Sequence, residues 1–215
     1  MNISADQWEK RKQNTLSFYG NKMPYKEKQF NHSFELPEYF KEMIGNKDSV
    51  SIANIGSGMF SAIGDTWPTA LVYIYASDIL ADEFNAMLKK KHIYSIIPVE
   101  RQDMTELTYD DNQFDIVHCV NAIDHCYNPM EALLEMYRVC KPGGWIYLCH
   151  YVDNAKYENY SGFHLWNITP IGMDCKIWSG DEEFYLSKVI SSFSNSILIA
   201  QGDLRPKIVC KLRKT

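Results

Sequence analysis

The sequence predicts a doubly wound α/β fold, a parallel sheet flanked by helices and finished at its C-terminal end by antiparallel strands. Three observations carry this. Short runs rich in Val, Ile and Tyr alternate with helical patterns between residues 48 and 151. Those runs are nearly continuously apolar, as in strands covered on both faces. The first run enters a glycine turn, Gly56-Ser57-Gly58, at the place where such sheets receive ligands.

The elements follow in order. Residues 5–17 read as a short helix in a polar, aromatic segment, with a loop at Gly20–Pro24; residues 1–34 as a whole read as a lid or substrate segment. Leu36, Phe40 and Met43 fall at helical spacing, and Gly45 suits a helix end. "SVSIANIG" (49–56) is the first strand and "TALVYIYASD" (69–78) the second. "DEFNAMLKKKH" (82–92) is a helix with Phe84, Met87 and Leu88 on one face. A short third strand lies within 94–103, and "FDIVHCVNA" (114–122) is the fourth. "PMEALLEMYRVC" (129–140) is a helix with Asn128 as its cap and Pro129 in its first turn. "KPGG" (141–144) ends that helix, because proline cannot continue it. "WIYLCHY" (145–151) is the fifth strand. Residues 174–213 read as short antiparallel strands closing one sheet edge, with a hairpin turn at Ser179-Gly180-Asp181.

The whole chain bounds the function. Its 215 residues suit one domain with a substantial core. No apolar run approaches the ~18 residues of a membrane span, and the N-terminus lacks the apolar core of a secretory signal. A cytoplasmic chain without a membrane partner is expected. The net charge of −5 argues against nucleic acid as the main partner, since phosphate binding leaves a basic footprint. The six cysteines form no C-x-x-C pair, so they read as reduced thiols and no metal site is drawn from them.

The strand ends hold the candidate chemistry. Gly56, Ser57 and Gly58 let a ligand approach the backbone, and Ser61 stands where a dinucleotide fingerprint wants its last glycine. Asp78, 20 residues beyond Gly58, suits two vicinal ribose hydroxyls, and it equally suits a helix cap. Asp103-Met104 offers an acceptor for an exocyclic amine beside an apolar ring contact, and it equally suits a plain turn. The "NAIDHC" loop (121–126) crowds Asn121, Asp124 and His125. His125 or His150 is a candidate general base, and each equally suits a structural role. Tyr151, His164 and Trp166, with Tyr19 and Tyr25, offer rings and imidazole for a substrate pocket or for a plain hydrophobic plug. His118 reads as core.

Taken together, "IANIGSG" (52–58), "YIYASD" (73–78), "VERQDMTEL" (99–107), "NQFDIVHCVNAIDH" (112–125) and "ALLEMYRVCKPGGWIYLCH" (132–150) resemble the class I S-adenosylmethionine (SAM)-dependent methyltransferases. The likeness is greatest to the small-molecule enzymes with a minimal Rossmann-like domain, and it covers residues 48–151. It implies a seven-stranded sheet with an antiparallel last strand. It also implies a SAM cradle: Gly56 and Gly58 under the methionine part, with Ser57 and Asn54 beside them. Asp78 would hold the ribose, Asp103 the adenine amine, Ile79 and Met104 the ring, and Asn121 the pocket near the sulfonium. His125, oriented by Asp124, or His150 would remove a proton from the acceptor. Asn54 stands where the family usually has an acid, and Phe60 where a third glycine is common.

The implied function is transfer of a methyl group to a small molecule, a hydroxyl of a sugar, glycan precursor or natural product. Two rivals stand: a silent methyltransferase-fold binding protein, and an NAD(P)-dependent oxidoreductase, which wants the missing glycine and has no use for Asp103-Met104. The sequence leaves the acceptor and the oligomeric state open.

Overall fold

The computed structural model describes residues 5–22, 33–190, 193–200 and 205–215. Seven strands form the main sheet: β1 (Ser49–Ile55), β2 (Leu71–Asp78), β3 (Val99–Arg101), β4 (Phe114–Val120), β5 (Cys140–Tyr151), β9 (Phe193–Ala200) and β10 (Lys207–Lys214). Their order is β3-β2-β1-β4-β5-β10-β9. The order reverses between β1 and β4, which puts the ligand crevice beyond the C-terminal ends of those two strands. β10 runs antiparallel to both neighbours, so six strands point one way and one the other.

The antiparallel C-terminal strand thus matches the expectation, but it is second from the edge. Residues 174–185 also depart from it. β6 (Asn167–Ile171), β7 (Asp174–Ser179) and β8 (Glu182–Tyr185) form a separate three-stranded antiparallel sheet. The β7–β8 turn does fall at Gly180, whose φ of 58° suits glycine. Ile168, Cys175 and Ile177 bury their side chains in the same cluster as β4, β5 and β10.

Helix α1 (Ala5–Lys22) runs longer than expected, straight through Gly20. A 3-10 turn (Glu38–Phe40) and α2 (Lys41–Ile44) bury Phe40, Met43 and Ile44, and Gly45 (φ 58°) ends them. α3 (Ala81–Lys90) buries Phe84 and Leu88. In α4 (Pro129–Val139) the Asn128 side chain accepts from the Glu131 N–H at 3.3 Å, as its sequence predicts. Short helices α5 (Asn154–Tyr157) and α6 (Leu186–Val189) complete the chain.

"KPGG" ends α4 and then joins β5 as an irregular stretch. Phe114 pairs with Cys140 and Ile116 with Trp145, so the intervening residues bulge out of register. The bulge places Lys141 Nζ 2.8 Å from Asp115 Oδ2, and the same oxygen accepts from Ser51 N and Oγ. Arg138 similarly donates to the Leu107 and Tyr109 carbonyls and pairs with Glu135. The Phe-Asp, Arg-Val and Lys-Pro-Gly-Gly features are therefore scaffold: they tie β1, β4, α4 and the 107–111 loop together.

β1 and β4 are buried on both faces, but β2 is not. Leu71 and Tyr73 are 65% and 53% exposed. No helix follows β3 before β4 to cover that face.

Candidate active site

A cavity of about 570 Å³ opens at the C-terminal ends of β1, β2, β3 and β4. That lies within the ~300–1,000 Å³ range of small-molecule sites. Its floor is the β1 turn. Gly56 and Gly58 have φ of 66° and 75°. A Cβ on Gly56 would lie 2.4 Å from the Ala122 Cβ, so no side chain fits there. Ser57 N donates to the Ser77 carbonyl, which fixes the turn against β2.

Asp78 reaches back over the turn. Its Oδ2 accepts from Gly58 N at 3.0 Å and its Oδ1 from Leu80 N at 2.9 Å. Burial pushes its pKa up, and those two N–H groups oppose the rise. A carboxylate has about four acceptor sites, so about two remain for hydroxyl donors. Asp103 Oδ1 accepts from Thr105 N and Oγ1, and its Oδ2 from Tyr127 Oη at 3.0 Å. A lone pair on Oδ2 remains for an amine. Ile79 and Met104 line the wall beside it.

Asn121 lines the cavity with φ 52°, its N–H on the Cys149 carbonyl and its buried Oδ1 without a hydrogen-bond partner among the described residues. A glycine turn with no room for a Cβ, unspent carboxylate lone pairs and an orphaned amide oxygen fit the polar ends of SAM.

The roof comes from α1. Trp8, Asn14, Thr15, Phe18 and Tyr19 line the cavity. Trp8 packs on Phe163 (ring centroids 4.9 Å apart) and Tyr19 on Phe84 (4.9 Å). Arg11 donates to the Gly162 carbonyl, and Lys12 pairs with Glu83. Of these residues the sequence reading named Tyr19 alone. The helical spacing Trp8, Thr15, Phe18/Tyr19 was the signal for the others.

His125 and His164 also line the cavity, and Asp124, which they contact, is 1% exposed. His164 Nδ1 is 2.9 Å from Asp124 Oδ2 and 3.1 Å from His125 Nε2. Burial alone would raise the Asp124 pKa, but the two histidines and Asn154 hold it below the usual carboxylate range. Burial lowers the His125 pKa, against the pull of Asp124.

Four expected site residues are placed elsewhere. Asn54 is buried and turned away from the cavity: its Oδ1 is 2.9 Å from His118 Nδ1 and its Nδ2 donates to Ser61 Oγ. His150 is buried off the cavity lining, its ring nitrogens unpartnered among the described residues, and burial pushes its pKa down to about 4. Trp166 is core, with Nε1 donating to the Cys126 carbonyl at 2.9 Å. Tyr151 stacks under Arg205 and Lys207 outside the cavity. Tyr25 lies outside the described residues. His118 is core, as expected, its ring nearly parallel to those of Tyr39 and Tyr147.

Comparison with known proteins agrees with this geometry. The family profile described as "Methyltransferase domain" matches residues 54–148. Over those residues the chain is similar to that family. It is 24% identical over 161 residues to the demethylmenaquinone methyltransferase of Bacteroides fragilis, covering 73% of this chain and 63% of that protein. It is 35% identical over 92 residues to a ubiquinone/menaquinone biosynthesis C-methyltransferase of Bdellovibrio bacteriovorus, covering 41% and 38%. The chain thus spans less than two thirds of the length of these curated relatives. Among solved structures, a putative methyltransferase of Bacillus halodurans superposes with TM-score 0.53 at 14% identity, over 82% of this chain and 97% of that one. A SAM-dependent methyltransferase from Methanosarcina mazei gives TM-score 0.52 at 14% identity, over 84% and 99%. Those likenesses establish the shared fold. SAM is the family's cofactor. Among the described residues, no helix is long and apolar enough to cross a membrane.

Proposed function

We propose that this chain transfers the methyl group of SAM to a small acceptor that carries an acidic hydroxyl on an unsaturated ring. The observation that carries the reading is one cavity lined by two sets of groups. The first is the glycine turn with Asp78 and Asp103; the second is His125 and His164, in contact with Asp124, among aromatic rings from α1 and Phe163.

SAM, when bound, supplies a methyl group already made electrophilic by its sulfonium. The chain therefore needs to place an acceptor and exclude water. Placement alone can supply ~7–11 kcal/mol of barrier reduction. Trp8, Phe18 and Phe163 suit the faces of a flat ring better than a polyol. His125 and His164 face the cavity, and Asp124 in contact with them favours positive charge there. A hydroxyl held there loses its proton more readily. On an unsaturated ring, that loss raises electron density on the oxygen and on the adjacent carbon. The same site thus supports O- or C-methylation. The relatives named demethylmenaquinone methyltransferase and ubiquinone/menaquinone biosynthesis C-methyltransferase agree with a ring acceptor, and no comparison supports a sugar or glycan. Of the expected bases, His125 meets the cavity and His150 does not.

The test is calorimetric titration with SAM and S-adenosylhomocysteine (SAH), followed by an SAH-release assay. The acceptor panel pairs phenols and hydroquinones with sugars and polyols. Turnover confined to the ring acceptors is expected. SAM binding without turnover of any acceptor would favour the silent binder, and failure to bind SAM or SAH would defeat the reading.

A further inference from the structure

We propose that Asp124, His125 and His164 form a binding site for one divalent transition-metal cation of the zinc type, with its open side toward the cavity. This goes beyond methyl transfer, which needs no metal.

The first argument is distance. His164 Nδ1 lies 2.9 Å from Asp124 Oδ2 and 3.1 Å from His125 Nε2, and His125 Nε2 lies 3.6 Å from Asp124 Oδ2. Each of the three residues points one ligand atom into this triangle. Around zinc, nitrogen and oxygen ligands sit at about 2.0–2.1 Å in a tetrahedron, which sets them about 3.3 Å apart. The three observed separations bracket that edge.

The second argument is proton counting. His164 Nδ1 also has Asn154 Nδ2 at 2.9 Å. One ring nitrogen offers either one hydrogen or one lone pair. With a hydrogen it serves Asp124 and confronts the Asn154 N–H. With a lone pair it accepts from Asn154 and confronts the Asp124 carboxylate. The adjacent carboxylate selects a positive partner for this nitrogen, a hydrogen or a cation, and a cation inside the triangle receives a lone pair from His125, His164 and Asp124 alike. With either partner Asn154 Nδ2 donates to Asp124 Oδ2 at 2.9 Å, while Arg205 holds Asn154 Oδ1 at 2.6 Å. Such outer partners orient metal ligands.

The third argument is the buried charge. Asp124 is 1% exposed; its Oδ2 accepts from Asn154 Nδ2, while its Oδ1 has no hydrogen-bond partner among the described residues. A carboxylate buried to this degree is held best beside positive charge, which a cation at Oδ2 supplies. Two imidazoles and one carboxylate form the donor set of catalytic zinc sites, which keep the fourth position open. Both histidines line the cavity and Asp124 does not, so the fourth position faces the acceptor. Its occupant is an oxygen donor, water or a hydroxyl. Only that last assignment, the acceptor hydroxyl as occupant, rests on the methyl-transfer reading.

The test uses tag-free full chain stripped with a chelator. Zn²⁺ alone is titrated by calorimetry, and Co²⁺ alone is followed by visible absorption. One ion per chain is expected, with the intense ligand-field bands of a four-coordinate cobalt site. His164→Ala and His125→Ala should each weaken Zn²⁺ binding about 100-fold or more, with the melting temperature serving as the fold control. Should His164→Ala fail to fold, His164→Gln replaces it, since the amide keeps the bulk and loses the imidazole. Stoichiometry below one, Zn²⁺ affinity weaker than about 100 µM, or affinity unchanged in folded variants would overturn the site. SAH titration of the parent protein separates the two proposals. SAH binding without zinc overturns the metal alone; zinc binding without SAH overturns the methyl-transfer reading alone.

Discussion

Asp78→Asn separates ribose binding from structure. Asp78 spends one site on each oxygen to hold Gly58 N and Leu80 N, leaving about two sites for hydroxyls. Asparagine keeps one acceptor oxygen and replaces the other by a donor. It forfeits one hydrogen bond between a hydroxyl and a charged group, worth about 1.5–3 kcal/mol. Affinity for SAH should fall roughly 10- to 150-fold. Stability should move much less. Burial raises the folded pKa of this carboxylate, so its charged form carries a stability penalty at pH above its folded pKa that is relieved as pH falls. The neutral amide removes that penalty and loses about 1 kcal/mol of backbone bonding. The melting temperature should therefore stay within about 4 °C. Calorimetry with SAH and a thermal melt read the two effects. SAH affinity within threefold of the parent would refute the ribose assignment. A collapse of the melting temperature with binding would mean that Asp78 acts mainly as a cap.

Gly56→Ala should lower stability by about 2–5 kcal/mol, from a positive φ and a Cβ 2.4 Å from Ala122; a melt shifted by less than about 3 °C would show that the turn relaxes. Trp8→Ala removes ring contacts to Phe163 and Tyr127, each worth about 0.5–1.5 kcal/mol, so SAH should leave about tenfold faster in stopped flow; an unchanged rate would deny α1 its roofing role. In Asp115, burial would raise the pKa, but Lys141 and Ser51 lower it to about 2. Its contribution is complete above the ordinary carboxylate range and lost as pH falls toward 2. Asp115→Asn should cost about 1–2 kcal/mol at pH 7, reduced by the 41% exposure of Lys141, and flatten the acid limb of a pH–stability curve; an unchanged acid limb would refute the pairing. Asn54→Asp places a carboxylate against neutral, buried His118 and should destabilise by about 1–3 kcal/mol without tightening SAH; tighter SAH binding with no loss of stability would show that this side chain serves the cofactor after all.

The sheet and the strand-end residues that line the cavity were legible because both are local. Strands announce themselves by apolar runs, and the residues after β1, β2, β3 and β4 fall at the crevice by topology alone. Gly56, Asp78, Asp103 and Asn121 needed no knowledge of side-chain direction. Asn54 did need it. It sits one residue before Ile55, inside β1, and alternation turns its amide toward His118. His150 failed for the same reason at the end of β5. The histidine and aromatic lining was less legible because its residues are far apart in sequence. His164 meets Asp124 across 40 residues, and Trp8 meets Phe163 across more than 150. No periodicity in either segment encodes such a contact.

Trp166 illustrates how a residue wrongly placed in a pocket still shapes it. Its ring is buried in the core, but its Nε1 holds the Cys126 carbonyl, and the N–H groups of Leu165 and Trp166 both reach the Asp124 carbonyl at 2.9 and 3.2 Å. The 3-10 turn Ile123–His125 is therefore clamped from below by the segment that also carries His164. The same turn begins at Ala122, which touches the glycine floor. One short loop thus ties the glycine turn to the histidine pair, with Ala122 against Gly56 and His125 against His164. The loop backbone is held through its carbonyls, while the Asp124 side chain meets Asn154 and His164 and the His125 ring meets His164. Holding the backbone separately from these side chains fixes His125 at the cavity wall.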